Sequence, residues 1–342
     1  MNTSNKITKK TISSEMIKRI IYSFVYGDVL GVPMEFSNEY SKICVDKYVA
    51  PNHYKQPTGV WSDDTALMLA TIDSLSQPKG IDFKDLMNRY YQYTKGKYTS
   101  TNKAFDIGIG TQKALIKYRL GYKPLNAGGK HNRNNGNGAI MRLLPILFLP
   151  EIKNPDSDLL TRFNIIKNYT KVTHGHYTAI IGTFIYIELL RELLINGHIL
   201  TLEATTVNQI LSYIENEIMD LSQIVDEKES KQIIKAQSQY ADLFDNSVVT
   251  KTYKGSGYVV DTLCFAIKTI MTHNDFKSAV VYAANNAKDN DTVAAITGAI
   301  GSLYYTNDNY NPPVEWYDEI LNRQIIEDYL ETFIITIKGD NI

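Results

Sequence analysis

Apolar residues return at helical spacing through most of this chain, and that property excludes most folds. Ile17, Ile20, Ile21, Phe24 and Val25 fall at i, i+3, i+4, i+7 and i+8, one stripe of a helix that begins near Ser14 and Glu15. A second run, Leu67, Leu69, Ala70, Ile72 and Leu75, follows Asp63–Asp64–Thr65. The same spacing predicts helices over Phe83–Thr94, Ala104–Tyr118, Leu160–Thr173, Thr178–Ile195, Val259–Met271, Phe276–Ala287 and Thr292–Tyr305. Alternating strand patterns are scarce, so the expected fold is all-α.

The breaks between these runs divide the chain. Gly27–Asp28–Val29–Leu30–Gly31–Val32–Pro33 is expected to end the first helix. Asn126–Gly138 holds four Gly and five Asn, which predicts a loop. Thr201–Asp245 is polar, with Ile210, Ile214, Ile218 and Leu221 at helical spacing. It reads as a peripheral helical excursion (about 201–245) from one compact helical domain over 14–338, not as a second domain. Residues 1–13 are expected to be frayed.

Charge narrows the partners. Lys and Arg number 36 against 37 Asp and Glu, and the one basic run is Lys6–Lys10. A nucleic-acid binder needs a clustered basic face, so nucleic acid is not an expected partner. Cys44 and Cys264 lie far apart with no C-x-x-C spacing, which excludes a disulfide framework and a zinc ribbon. Met1–Lys10 lacks an apolar core for a secretory signal. The longest apolar stretch, Ala179–Leu190, falls short of the roughly 20 residues a bilayer span needs. A cytoplasmic monomer with no membrane attachment is expected.

Two similar acidic clusters stand out. Ser62–Asp63–Asp64–Thr65–Ala66 precedes one apolar helix, and Asp289–Asn290–Asp291–Thr292–Val293–Ala294 precedes another. Carboxylates and hydroxyls without His or Cys are the ligand set of a hard cation such as Mg²⁺, Mn²⁺ or Ca²⁺. Helix capping is the alternative, because Asp and Thr favour helix starts. One cap per helix suffices, however, and a second adjacent acid adds repulsion. Ala294, Ala295, Gly298, Ala299 and Gly301 then form a helix face small enough for another helix to approach closely. Two other metal-dependent helical classes fail on pattern. Leu67 stands where D-D-x-x-D needs its last Asp, and no His is followed by Asp.

Seven motifs in order carry a resemblance. They are Gly27–Asp28–Val29–Leu30–Gly31–Val32–Pro33–Met34–Glu35, Trp61–Ser62–Asp63–Asp64–Thr65, Phe105–Asp106–Ile107–Gly108, Gly136–Asn137–Gly138–Ala139–Ile140–Met141–Arg142, Thr173–His174, Gly257–Tyr258–Val259–Val260–Asp261–Thr262–Leu263 and Asp289–Asn290–Asp291–Thr292. Across roughly Ile17–Tyr305 the chain resembles the ADP-ribosylglycohydrolase family, of the dinitrogenase-reductase-activating type. The resemblance implies a compact all-α domain with a binuclear magnesium centre, Mn²⁺ being able to substitute. It implies metal ligation by Ser62, Asp63, Asp64, Asp289, Asp291 and Thr292. It gives Glu35 and Asp106 catalytic roles and brings Gly136, Asn137, Gly138, Ala139, Met141, His174, Gly257 and Tyr258 to the ligand. The implied reaction releases ADP-ribose from a modified protein side chain, arginine first and serine second, reversing mono-ADP-ribosylation. Glycines in the Gly136–Arg142 loop would let backbone N–H groups approach a diphosphate.

The last motif departs from the family's pattern. Ala287 and Lys288 replace two glycines, and Asn290 replaces a small hydroxyl or thiol residue. An ammonium turned into the site would weaken metal binding; one turned to solvent would change nothing. The competing reading is a non-catalytic, ADP-ribose-binding or structural member of the same fold.

Overall fold

The computed structural model describes residues 12–35, 44–51, 53–196 and 204–339. Their helices are α1 (Ser14–Gly31), α2 (Asp63–Leu75), α3 (Phe83–Tyr93), α4 (Ile109–Arg119), α5 (Pro124–Ala127), α6 (Pro150–Lys153), α7 (Leu159–Lys171) and α8 (Tyr177–Asn196). They continue with α9 (Ala204–Ile224), α10 (Glu227–Gln237), α11 (Ala241–Phe244), α12 (Val259–Thr272), α13 (Phe276–Asn286), α14 (Asn290–Tyr304), α15 (Val314–Asp318) and α16 (Gln324–Gly339). Pairing of extended backbone among the described residues is limited to two isolated bridges, Gly129–His174 and Gly136–Tyr258. The fold is all-α, as expected.

Two helices set the centre. Every residue of α14 is buried, and α1 packs along it. Ser23, Gly27 and Gly31 sit four apart, on one face of α1. A Cβ on Gly27 would lie 2.1 Å from the Ala294 carbonyl oxygen, and one on Gly31 would lie 2.4 Å from that of Asn290. A Cβ on Gly298 of α14 would lie 2.0 Å from the Ser23 carbonyl oxygen. The glycines therefore serve backbone-to-backbone approach. The segment Gly27–Pro33 ends the first helix as expected, at Gly31, with a 3₁₀ turn over Val32–Met34 following, but Gly27 lies inside α1 and serves packing.

The other starts and stops follow from local chemistry. Ser13 caps α1, its Oγ accepting from the Met16 N–H at 3.1 Å. Asp82 and Asp158 cap α3 and α7 in the same way. The expected helix over Ala104–Tyr118 begins only at Ile109, because its first residues are engaged elsewhere. The Tyr93 hydroxyl donates to the Asp106 carbonyl, and the Gly108 N–H donates to Asp63. Asn126–Gly138 is a loop apart from the last turn of α5, and Ile140–Phe148 beyond it forms two buried 3₁₀ turns.

The apolar stretch Ala179–Leu190 lies within α8, a core helix, where buried Glu188 accepts from Arg162 at 2.9 Å. No helix among the described residues is long and apolar enough to cross a membrane. Helices α9 and α10 cover α8, with Ile210, Leu211, Ile214, Ile218 and Leu221 buried. Residues 201–203 of the expected excursion lie outside the described residues, as do 1–11 of the expected frayed start. Helix α16, unforeseen in the sequence, buries Ile326, Leu330, Phe333, Ile334 and Ile337, and packs on α2.

Candidate active site

The two acidic clusters meet. The Thr292 hydroxyl, at the start of α14, donates to Asp64 Oδ2 at 3.2 Å, across 228 positions of chain. Asp63, Asp64 and Asp291 are 4%, 1% and 2% exposed, so their carboxylates are nearly dry.

Capping does not explain Asp63 and Asp64. The caps of α2 are Ser62, whose Oγ accepts from the Asp64 N–H at 3.1 Å, and Asp28, reaching across from α1. Asp28 accepts from the Ser62 N–H at 3.1 Å and from the Thr65 N–H at 3.0 Å. With those donors satisfied, Asp63 and Asp64 are not needed as caps. Asp63 accepts from the Gly108 N–H at 3.4 Å, while Asp64 Oδ1 is buried with no hydrogen-bond partner. At the second cluster, Asp289 occupies the cap position of α14 without making a side-chain cap bond, and Asp291 accepts from the Thr292 N–H at 2.8 Å.

Glu35, at the end of the turn after α1, and Asp106, before α4, join Asp291. Oxygens of these three lie within 4.8 Å of one another, a group able to hold a metal ion. The Tyr54 hydroxyl links the first two, 2.6 Å from Glu35 Oε2 and 3.1 Å from Asp106 Oδ2. One hydroxyl carries one proton, so the second contact needs a proton on a carboxyl. Burial and then repulsion from Asp106 push the Glu35 carboxyl up to about 8, which makes Glu35 the proton's holder at neutral pH. Burial, followed by repulsion from neighbouring acids, also holds Asp63, Asp64 and Asp291 well above the usual carboxylate range. Such a cluster demands positive charge, as protons or as a cation. An all-oxygen donor set with an orphaned Asp64 oxygen fits a hard divalent ion.

The glycine loop folds over this cluster. Asn137 donates from Nδ2 to Asp289 Oδ2 at 2.8 Å, and its backbone N–H donates to the Gly257 carbonyl at 3.0 Å. A Cβ on Gly257 would lie 3.1 Å from Asp289 Oδ2. Gly110, Gly136 and Gly138 surround the His174 ring, where added Cβ atoms would come within 2.8, 3.5 and 3.1 Å. Buried Arg142 donates to the Thr173 hydroxyl, which is 2.8 Å from His174 Nδ1. Nδ1 is thereby engaged with Thr173, and Nε2 faces the glycines. Burial, then the Arg142 charge, lowers the His174 pKa to about 3, so the ring is neutral. Ala139 and Met141 are 1% and 3% exposed and pack in the core beneath the loop. Tyr258 is 39% exposed and lines a cleft of about 770 Å³ beside Lys130, Asn135 and His176.

A model of the ADP-ribosylglycohydrolase family matches residues 12–340. The chain belongs to the ADP-ribosylglycohydrolase family. Its relatives include the ADP-ribosylarginine hydrolase Tri1 of Serratia proteamaculans, 24% identical over 334 residues, 97% of this chain and 82% of that protein. Tri1 of Pseudomonas putida is 26% identical over 319 residues, 91% of this chain and 75% of its own length. The ADP-ribosylhydrolase ARH3 of Mus musculus is 24% identical over 314 residues, 82% of this chain and 80% of ARH3. A solved ADP-ribosylglycohydrolase-related protein complex shares the fold, with a TM-score of 0.72 at 23% identity. It covers 95% of this chain and 98% of that one.

As an ADP-ribosylglycohydrolase the chain is a hydrolase of ADP-ribosyl groups. Its one sequence departure from the family's pattern that carries charge, Lys288, is exposed at the surface. Two neighbours, Asp28 and Tyr54, carry no assignment in the sequence, and a third, Asn137, is expected there at the ligand and not at Asp289. Asp28 stood inside a quoted motif, but its role as a cap for another helix needs the α1–α2 packing. Tyr54 lies in a polar turn with no signal of its own, and the Asn137 amide finds Asp289 only in three dimensions.

Proposed function

We propose that this ADP-ribosylglycohydrolase is a magnesium-dependent enzyme that cleaves the glycosidic bond between ADP-ribose and a modified protein side chain, arginine first and serine second. The observation that carries the reading is the pair Glu35 and Asp106, sharing the Tyr54 hydroxyl beside Asp291. The two relatives named ADP-ribosylarginine hydrolases support arginine as the acceptor.

Ser62, Asp63 and Asp64 would hold two Mg²⁺ ions from one side, and Asp289, Asp291 and Thr292 from the other. When bound, the ions neutralise the carboxylates and orient the ribose hydroxyls. Glu35, protonated at neutral pH, gives its proton to the leaving nitrogen or oxygen of the acceptor. Asp106 takes a proton from the water that attacks the anomeric carbon. Tyr54 holds both carboxyls in register. His174 donates from Nε2 toward the diphosphate while the glycine loop presents backbone N–H groups, and Tyr258 lines the adenosine end.

The direct test is release of ADP-ribose from arginine-modified and serine-modified protein, with and without EDTA. Release from arginine that needs a divalent ion is expected. No release from either substrate with Mg²⁺ present would sink the reading.

Stability offers a separate readout. An acid whose pKa is raised by folding stabilises the native state below its unfolded value, and that contribution is lost as pH rises through the folded value. For Glu35 the window runs from 4.5 to about 8, and Asp63, Asp64 and Asp291 shift in the same direction. The melting temperature in EDTA should therefore fall as pH rises across that window, and Mg²⁺ should restore it most at the alkaline end. A melting temperature independent of both pH and Mg²⁺ would contradict the metal assignment.

A further inference from the structure

One face of α4, beside the carboxylate site, carries exposed apolar side chains. Ile109, Ile116 and Leu120 are 69%, 54% and 74% exposed, and Tyr122 just beyond is 54% exposed. At 3.6 residues per turn, Ile109, Ile116 and Leu120 fall within roughly 20° of one line, a ridge about 16 Å long. The core face of the helix is a different one, formed by Thr111, Ala114 and Leu115. Exposed Gln112 and Lys113 separate Ile109 from the continuous part of the ridge, Ile116 and Leu120 one turn apart. Exposed apolar patches mark interaction sites more often than scattered residues do.

The ridge starts at the site itself. The Gly108 N–H donates to Asp63, Gly110 abuts His174, and Asp106 precedes the helix. Along its own segment it is also flanked by one sign of charge. Lys103, Lys113, Lys117, Arg119 and Lys123 lie along residues 103–123, where the one acid is Asp106, held at the Tyr54 hydroxyl. Arg119 lies over the Tyr91 ring at 4.6 Å, and among the described residues none of the five forms an ion pair. An apolar strip with a charged border has the anatomy of a protein interface.

We propose that this ridge docks the modified protein: a folded acceptor whose surface beside the ADP-ribosylated side chain is apolar and acidic. The inference rests on the hydrolase reading above. With the ADP-ribose held at the carboxylate site, the atoms beyond the scissile bond belong to the acceptor, which must lie against the rim of that site. The rim at α4 offers it apolar contact and a run of basic side chains, with Asp82 and Asp85 of α3 near its Tyr118 end.

The test compares free ADP-ribosyl-arginine and ADP-ribosyl-serine with two carrier proteins bearing the same modification, one of net negative and one of net positive charge. Ile116→Asp with Leu120→Asp should lower kcat/KM on the acidic carrier about tenfold, through KM, while turnover of the free compounds stays unchanged. Lys113→Glu with Lys117→Glu should lower it on the acidic carrier and not on the basic one. Circular dichroism at wild-type strength would exclude misfolding. Equal losses on free compounds and carriers, or no loss on either carrier, would overturn the proposal. So would a wild-type dimer in sedimentation that the Ile116→Asp and Leu120→Asp pair dissolves, since the ridge would then cover a second copy. A wild-type protein inactive on both free compounds and both carriers would instead remove the hydrolase reading, and the docking surface with it.

Discussion

Asp291→Ala should lower release of ADP-ribose by about a thousandfold, the size expected when a group that organises charge at the reacting centre is removed. The protein should keep its full helical signal. Asp291 is 2% exposed and held well above the usual carboxylate range by burial and then by Glu35, Asp64 and Asp289. Deleting it relieves repulsion in the metal-free protein, so the melting temperature in EDTA at alkaline pH should rise. Loss of activity with gain of stability is what a site held under electrostatic strain predicts. A variant that loses activity because it unfolds, or one that keeps wild-type turnover, would contradict this role for Asp291.

The second large effect concerns the helix pair that carries the site. Gly298→Ala should cost about 3 kcal/mol or more, at or beyond the upper end for overpacked cores. The added Cβ would lie 2.0 Å from the Ser23 carbonyl oxygen and 2.9 Å from its carbon, and backbone has no rotamer to turn away. Helices α1 and α14 would have to separate, and they bring Asp28 and Asp291 to the site, so activity should fall along with stability. The unfolding midpoint in urea measures this, with Gly339→Ala as the control, because a Cβ at Gly339 meets nothing within 4 Å. Gly298→Ala with wild-type stability would mean that the close approach of the two helices is dispensable.

These glycines show where the sequence was legible and where it was not. The period of the apolar residues announces the helices well, because burying one stripe per helix is a local requirement written at local spacing. The role of Gly27 is not readable in the sequence, because a glycine that breaks a helix and one that admits a neighbour look alike until the neighbour is known. The small-residue face of α14 did announce a close partner, but not that the partner would be α1. The start of α4 was misplaced for a related reason. Ala104–Gly108 has helical spacing, yet Asp63 and Tyr93 claim its polar groups from other elements. Helix α16 could have been found, since Ile326, Leu330, Phe333, Ile334 and Ile337 follow the helical period.

The acidic clusters were conspicuous as residue types. Their choice between capping and ligation was not readable, because it turns on Asp28, which caps α2 from a different helix. Tyr54 carries no sequence signal, and its importance appears only when Glu35 and Asp106 arrive beside it.

Diffraction from a crystal soaked in Mn²⁺, recorded at the manganese absorption edge, reaches the central claim most directly. Anomalous peaks are expected between Asp63–Asp64 and Asp289–Asp291, with carboxylate oxygens of both clusters at roughly 2.0–2.2 Å, as for a small hard cation. Manganese bound elsewhere, or bound to one cluster alone, would contradict it.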